Sequence, residues 1–258
     1  MINFAAIILY RDFIMTKITL LFASLLIGLM TLLPQEAVAK VYLVSVGISD
    51  YPGNDMDLNV CDTDASDIAD LYKKNNGAEI RLLTNKQATL SAVKKAMNDL
   101  FAKANANDIV VLFYSGHGEK AGLNLYNATL TFKAILAIFE NLKCKNKMIF
   151  SDSCFSGSIR HQAAQQSAST FTSNNVMYFL GSRTNEFSIE NTYDFKNSYF
   201  THALLRALSG KADSNRDRTI TARELFDYVS SHVKEYSGDR QHPVMWGHFS
   251  DDMPVMKW

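Results

Sequence analysis

Two stretches decide the fold: Asp108–His117, DIVVLFYSGH, and Lys147–Gly157, KMIFSDSCFSG. Each opens as a continuous apolar run, the pattern of a strand buried on both faces, and each then breaks into a turn of small residues. The first turn is Ser115-Gly116-His117-Gly118 and the second is Ser151-Asp152-Ser153-Cys154-Phe155-Ser156-Gly157. In an open parallel sheet the carboxyl ends of the strands share one rim, and ligands bind there. The His turn and the Cys turn are therefore expected to converge, with glycines that let the backbone turn tightly and approach a substrate.

Working outward, strand-like and helix-like segments alternate. Val41–Gly47 reads as a first strand, Asp62–Lys74 as a helix, Glu79–Leu83 as a strand and Thr89–Ala104 as a helix. Leu123–Thr129 reads as a small hairpin and Phe132–Leu142 as a helix. Val176–Leu180 resumes as a strand, Ser198–Leu208 and Ala222–Val233 as helices, and Pro243–Trp246 as a last strand. This βαβα order predicts an α/β fold with a mostly parallel sheet and helices on both faces. Residues 158–175, SIRHQAAQQSASTFTSNN, are poor in large apolar side chains and read as a long exposed loop. The loop separates a part spanning 40–157 from one spanning 176–258, sizes that suit two halves of one sheet.

A thiol of ordinary pKa is a modest nucleophile at neutral pH, and an imidazole beside it can take its proton. The backbone N–H groups of Gly118 and Cys154 can then hold a tetrahedral oxyanion. Taken singly, a buried Cys is usually inert packing, and Cys144, just ahead of a strand, fits that description. His161, His202, His232, His242 and His248 lack the Gly-His-Gly context at a strand end and read as structural. No CxxC pair supports zinc, and neither GxxxxGK[ST] nor GxGxxG supports a phosphate site.

At these residues the sequence resembles the caspase-like cysteine peptidases, and within them the metacaspase and bacterial metacaspase-like branch. The resemblance runs over nearly all of 40–258: VYLVSVGISDYPG, NVCDTDASDIADLY, FYSGHG, DSCFSG and the tail NSYFTHALLRAL…ITARELFDYV. It implies a caspase-like fold with a sheet of about six strands. It also implies His117 as general base and acid, Cys154 as nucleophile, and hydrolysis through a thioester acyl-enzyme. The Cys turn departs from the QAC[RQG]G signature that goes with Asp-directed caspases. The resemblance implies instead a preference for Arg or Lys before the scissile bond, in a pocket made by Cys61, Asp64, Ser115 and Asp152. Two carboxylates flanking a narrow pocket suit one cation. Asp64 has a competing reading as a helix-start acid facing the macrodipole, a role Asp62 can also fill. Phe155 stands where metacaspases usually carry His, a position with no expected chemistry. Two other readings stay open: a catalytically silent or latent binding module, and a Cys-His peptide ligase on the same fold.

The N-terminus carries Lys17, then the uncharged run Ile18–Leu33, then Pro34-Gln35-Glu36-Ala37-Val38-Ala39. This reads as a signal peptide over 1–39, with Met15 a candidate start and export to the periplasm or medium as the consequence. The sixteen-residue run is shorter than the ~20 residues of a membrane-spanning helix, which leaves an uncleaved anchor as the alternative. After cleavage no stable membrane association is expected. Over the whole chain 26 basic residues balance 26 acidic ones. Removing Arg11, Lys17, Asp12 and Glu36 leaves 24 against 24, so no charge excess points to a nucleic-acid partner. Three cysteines cannot all pair, and at least one thiol is free.

Asp213 to Glu224 has the D-x-N-x-D spacing and terminal Glu of an EF-hand loop, but Arg218 occupies the place of the turn glycine. Asp213, Asn215, Asp217, Thr219 and Glu224 are candidate calcium ligands, and calcium activation is weighed against a T-x-x-E capping box at Thr221–Glu224. No cofactor is required by the chemistry above. Arg160, in the exposed loop, is a candidate self-cleavage site for a basic-specific peptidase.

Overall fold

The computed structural model describes residues 39–154, 176–183, 186, 188–190 and 195–257, together with Met15 and Lys17. The chain divides into two compact units, Met1–Val38 and Ala39–Trp258. In the first, only Met15 and Lys17 are described, both helical, so the leader reading lies outside the described residues. The second carries everything below.

Its elements in chain order are β1 (Val41–Gly47), α1 (Cys61–Asn76), β2 (Glu79–Thr84), α2 (Leu90–Phe101), β3 (Ile109–Ser115), β4 (Gly118–Glu119), β5 (Gly122–Asn124), β6 (Thr129–Thr131), α3 (Phe132–Glu140), β7 (Asn146–Asp152), β8 (Val176–Leu180), α4 (Tyr199–Arg206), β9 (Thr219–Thr221), α5 (Ala222–Tyr236), β10 (Val244–Gly247) and β11 (Pro254–Lys257). The main sheet has six strands in the order β10-β8-β7-β3-β1-β2. All neighbours are parallel except β10, which runs antiparallel to β8 at one edge.

Burial follows from the pleat. Along β3, Val111 and Phe113 join α1, α4 and α5 on one face, while Val110, Leu112 and Tyr114 join α2 and α3 on the other. Every residue of β1, β3 and β8 is buried, as a centrally placed parallel strand requires. Removing side chains of this size from water favours folding by about 1.5–3 kcal/mol each, so the apolar runs seek this position. The helices start where side chains can cap them: Thr89 accepts from Ala92 N, Thr131 from Ala134 N, and Ser198 from Thr201 N. Thr221 and Glu224 complete a reciprocal capping box at α5.

Three local readings change. The hairpin expected at Leu123–Thr129 is a three-stranded sheet, because β4 pairs with β5 directly after the His turn. β9 and β11 were not expected; they pair across 33 or more residues of sequence, a contact no local periodicity announces. The helix expected over Ser198–Leu208 ends at Arg206 and widens into a π-type turn over Ala207–Lys211, where Gly210 leaves helical geometry.

Candidate active site

The parallel register sets the site. Ser115 pairs with Asp152 across β3 and β7, and Gly47 of β1 pairs with Ser115, so three strand ends stand side by side. Gly116 N donates to the Asp152 carbonyl at 3.2 Å, which ties the His turn to the Cys turn. A methyl group on Gly118 would lie 2.4 Å from the Cys154 carbonyl and 2.8 Å from Ser153 Oγ, so only glycine allows the two turns to meet. Behind them, Ser151 and Ser153 hydroxyls lie 3.0 Å apart, and Ser182 Oγ donates to Ser153 O at 3.1 Å. The Cys turn is thereby fastened to the end of β8.

A cavity of about 60 Å³ opens at this rim. His117, Cys154, Cys61, Ser115 and Asp152 all line it. Asp64 does not reach it directly: fully buried, it accepts from Ser115 Oγ at 2.8 Å and from Ser198 N at 3.2 Å, one hydrogen bond behind the wall. Its carboxylate thus turns toward the sheet and away from the helix end. Asp62 does the local work there, accepting from Thr63 N at 2.9 Å and Ser49 Oγ at 2.8 Å.

Asp152 is held by four donors. Oδ1 accepts from Ser188 Oγ; Oδ2 accepts from Ser198 Oγ, from Thr201 Oγ1 at 2.7 Å and from Thr201 N at 3.2 Å. Burial raises the pKa of Asp64 well above the usual carboxyl range, and the nearby charge of Asp152 raises it further. Burial likewise raises Asp152, against the opposing pull of its hydroxyl donors. The pair is a desolvated double carboxyl site, whose full ionisation a cation would favour.

Burial also pushes the Cys154 thiol upward, with Asp152 adding to the effect. A raised pKa favours the neutral thiol over the thiolate at Cys154. His117 Nε2 lies 2.8 Å from the Met56 carbonyl. A carbonyl only accepts, so Nε2 donates to it and Nδ1 is the ring nitrogen left for a second partner.

The sequence reading missed the cover of this cavity. Ser188, Ile189 and Glu190 line it, together with Leu58 and Ser198. Glu190 holds the residues just ahead of α1, while Ser49 Oγ accepts from Asp62 N and Asp62 Oδ1 from Thr63 N within its first turn. The Glu190 oxygens accept from Asn59 N at 3.0 and 3.1 Å, Asn59 Nδ2 at 2.9 Å, Val60 N at 3.2 Å and Cys61 Sγ at 3.4 Å. A negative charge at the positive end of a helix dipole is favourable there. Gln241, fully buried, accepts from Ile189 N at 3.0 Å and donates to Gly181 O and Ser188 Oγ. Val60 at the N-cap position, with no side chain able to cap, was the one local signal that other segments hold this helix start; nothing local named Glu190.

All three cysteines are free thiols, and Cys144 is buried. The Asp213–Glu224 loop turns sharply, with Arg216 and Arg218 at φ 62° and 64° in place of glycine. Its acids are occupied by the loop itself. Asp213 accepts from Asp217 N and Arg218 N, Asp217 from Thr219 N, and Glu224 from Ser214 and Thr221. Among the described residues, no group of three or more His, Cys, Asp or Glu side chains is placed to hold a metal ion. The donor set fits a self-capped turn, and no step is assigned to calcium. Arg160 lies outside the described residues.

A six-stranded, mostly parallel sheet with a Cys turn and a His turn abutting at its rim defines a cysteine-peptidase type of fold. A family model for the caspase domain matches residues 41–253, and the chain belongs to that family, peptidase C14, whose members are cysteine peptidases. Among solved structures it is similar to protein GSU0716 from Geobacter sulfurreducens, at 19% identity and TM-score 0.63, covering 82% of this chain and 94% of that one. It is also similar to caspase-1 from Spodoptera frugiperda, at 15% identity and TM-score 0.62, covering 84% and 89%. No curated protein matches the sequence.

Proposed function

We propose that the protein is an exported cysteine endopeptidase of the metacaspase-like kind, cutting after Arg or Lys. The observation that carries this is one cavity lined by Cys154, His117 and Asp152, with Asp64 buried directly behind it. The P1 cation enters the cavity against Asp152, with Asp64 behind it through Ser115, and the two carboxyls ionise in its presence, while Glu190 adds negative charge at the cavity wall. His117 Nδ1 takes the thiol proton as Cys154 Sγ attacks the scissile carbonyl carbon. The N–H groups of Gly118 and Cys154 hold the resulting oxyanion. Collapse breaks the C–N bond, and the proton on His117 passes to the leaving amine. Water then attacks the thioester, giving its proton to His117, and the carboxyl product leaves with the thiol restored.

A peptide-library profile of the purified protein tests the reading. Cleavage is expected after Arg and Lys and none after Asp, and Cys154→Ala is expected to abolish it. Turnover that survives this substitution removes Cys154 from the mechanism. Two processing events belong to the same proposal: leader removal with Lys40 as the new N-terminus, and self-cleavage after Arg160. Mass spectrometry of active enzyme reads both ends, and an intact 155–175 segment in fully active protein rules out the second as a requirement.

A further inference from the structure

The segment between β1 and α1 grips His117 on three sides. His117 N donates to Tyr51 Oη at 2.9 Å, and the Tyr51 ring lies tilted against the imidazole, centroids 5.0 Å apart. Five residues on, the Met56 carbonyl takes His117 Nε2 at 2.8 Å. Asp57 Oδ1 closes the loop by accepting from Tyr51 N at 3.0 Å. From the sheet side, Tyr114 Oη donates to His117 O at 2.7 Å. Both main-chain polar groups of the histidine therefore end on tyrosine hydroxyls, which are 3.3 Å apart; Tyr51 Oη donates to Asn124 O at 3.1 Å, and Tyr114 Oη lies 2.7 Å from the same oxygen.

Glycine at 116 is what lets this pair stand there. A methyl group on it would lie 2.6 Å from Tyr114 Oη and 2.7 Å from Tyr51 Oη. Tyr51 stays a neutral phenol, pushed up to about 12 chiefly by burial, so its hydroxyl both accepts from His117 N and donates onward. Its ring has a second use. When His117 becomes an imidazolium during thiol attack, a neighbouring aromatic face is a favourable partner for the charge.

We propose that Tyr51 is a positioning residue for the His117 base, its hydroxyl fixing the main chain of the His turn and its ring fixing the imidazole plane. The loop it opens delivers the Met56 carbonyl that sets the tautomer. The inference rests on the cysteine-peptidase reading, since it presumes that His117 acts on the Cys154 thiol.

The test compares wild type, Tyr51→Phe, Tyr51→Leu and Asp57→Asn in the full chain. Readouts are kcat and KM on an Arg reporter, the melting temperature, and the rate at which iodoacetamide alkylates Cys154, located by peptide mass spectrometry. Losing one hydrogen bond to the turn is expected to lower kcat roughly tenfold in Tyr51→Phe. Losing the ring as well lets the imidazole drift by about an ångström, and kcat falls roughly 100-fold in Tyr51→Leu. KM stays within about twofold, alkylation slows by the same factors, and Asp57→Asn falls between wild type and Tyr51→Phe. Unchanged kcat and alkylation in Tyr51→Phe and Tyr51→Leu overturn the proposal. So does a loss carried by KM, or one that follows a fall in melting temperature of Tyr51→Phe. If wild type alkylates rapidly at Cys154 but cleaves no basic peptide, the specificity reading fails and the alkylation series still decides Tyr51. A wild type that neither alkylates at Cys154 nor cleaves a basic peptide overturns both.

Discussion

Replacing Asp152 by Asn isolates the charge of the pocket from its architecture. Alanine would not, because it removes the acceptor of Ser188 Oγ, Ser198 Oγ and Thr201 Oγ1, Thr201 N alone keeping Ser198 Oγ as a second acceptor. Each buried donor left unsatisfied costs about 1–3 kcal/mol, and a variant that strands three of them is destabilised for reasons unrelated to specificity. Asparagine keeps the shape. Its carbonyl can face Ser198 and Thr201, and its amide can donate to Ser188 Oγ once that hydroxyl rotates. On the proposed function, what disappears is the charged partner of a guanidinium. Removing one member of a buried, hydrogen-bonded charge pair costs about 2–5 kcal/mol, which at 1.36 kcal/mol per decade is roughly 30- to 5,000-fold in kcat/KM.

The assay is kcat/KM on two fluorogenic peptides identical except for Arg or its neutral isostere citrulline before the scissile bond. The Arg:citrulline ratio is expected to shrink by that factor. Stability should be kept or raised at neutral pH. Burial raises both folded-state carboxyl pKa values, so stability is greatest where both are protonated and is lost as pH rises through them. Removing one carboxyl relieves that loss. A variant within threefold of wild type that keeps its Arg preference refutes the pocket assignment, as does an equal loss on both peptides.

Because a bound cation favours ionised carboxyls, agmatine is expected to bind more weakly as pH falls and to release protons on binding. Calorimetry in buffers of different ionisation enthalpy measures this, and zero proton exchange counts against the acid pair as its site. Gly118→Ala is expected to lower kcat at least 100-fold, since its methyl group would displace the Cys154 carbonyl; near-normal turnover would show that the turns need not abut. Activity is expected to be the same with excess calcium or with chelator, since the acids of the 213–224 loop already bond to its own backbone; a tenfold rise with calcium contradicts that.

Much of this was legible in the primary structure. β1, β3, β7 and β8 were visible because a strand buried on both faces must be apolar throughout, and the turns stood out because only small residues follow such runs. Asp152, Ser115 and Asp64 were named by resemblance; in the structure Asp152 and Ser115 line the cavity and Asp64 lies one hydrogen bond behind it. What stayed hidden was held by long-range contacts. Glu190 meets Asn59 across 131 residues, Gln241 meets Gly181 across 60, and Tyr51 meets His117 across 66. A hydrogen bond between distant residues leaves no period in either segment.

The sequence by itself determined the sheet, its two apolar faces and the rim on which a cysteine and a histidine emerge, because burial and turn chemistry are local and periodic. Only the tertiary structure decided which carboxyl lines the cavity and which lies behind it, what holds the residues ahead of α1, and which ring nitrogen of His117 faces the Met56 carbonyl. Those depend on where side chains from separate segments end in space, and that is settled when the sheet closes and buries them together.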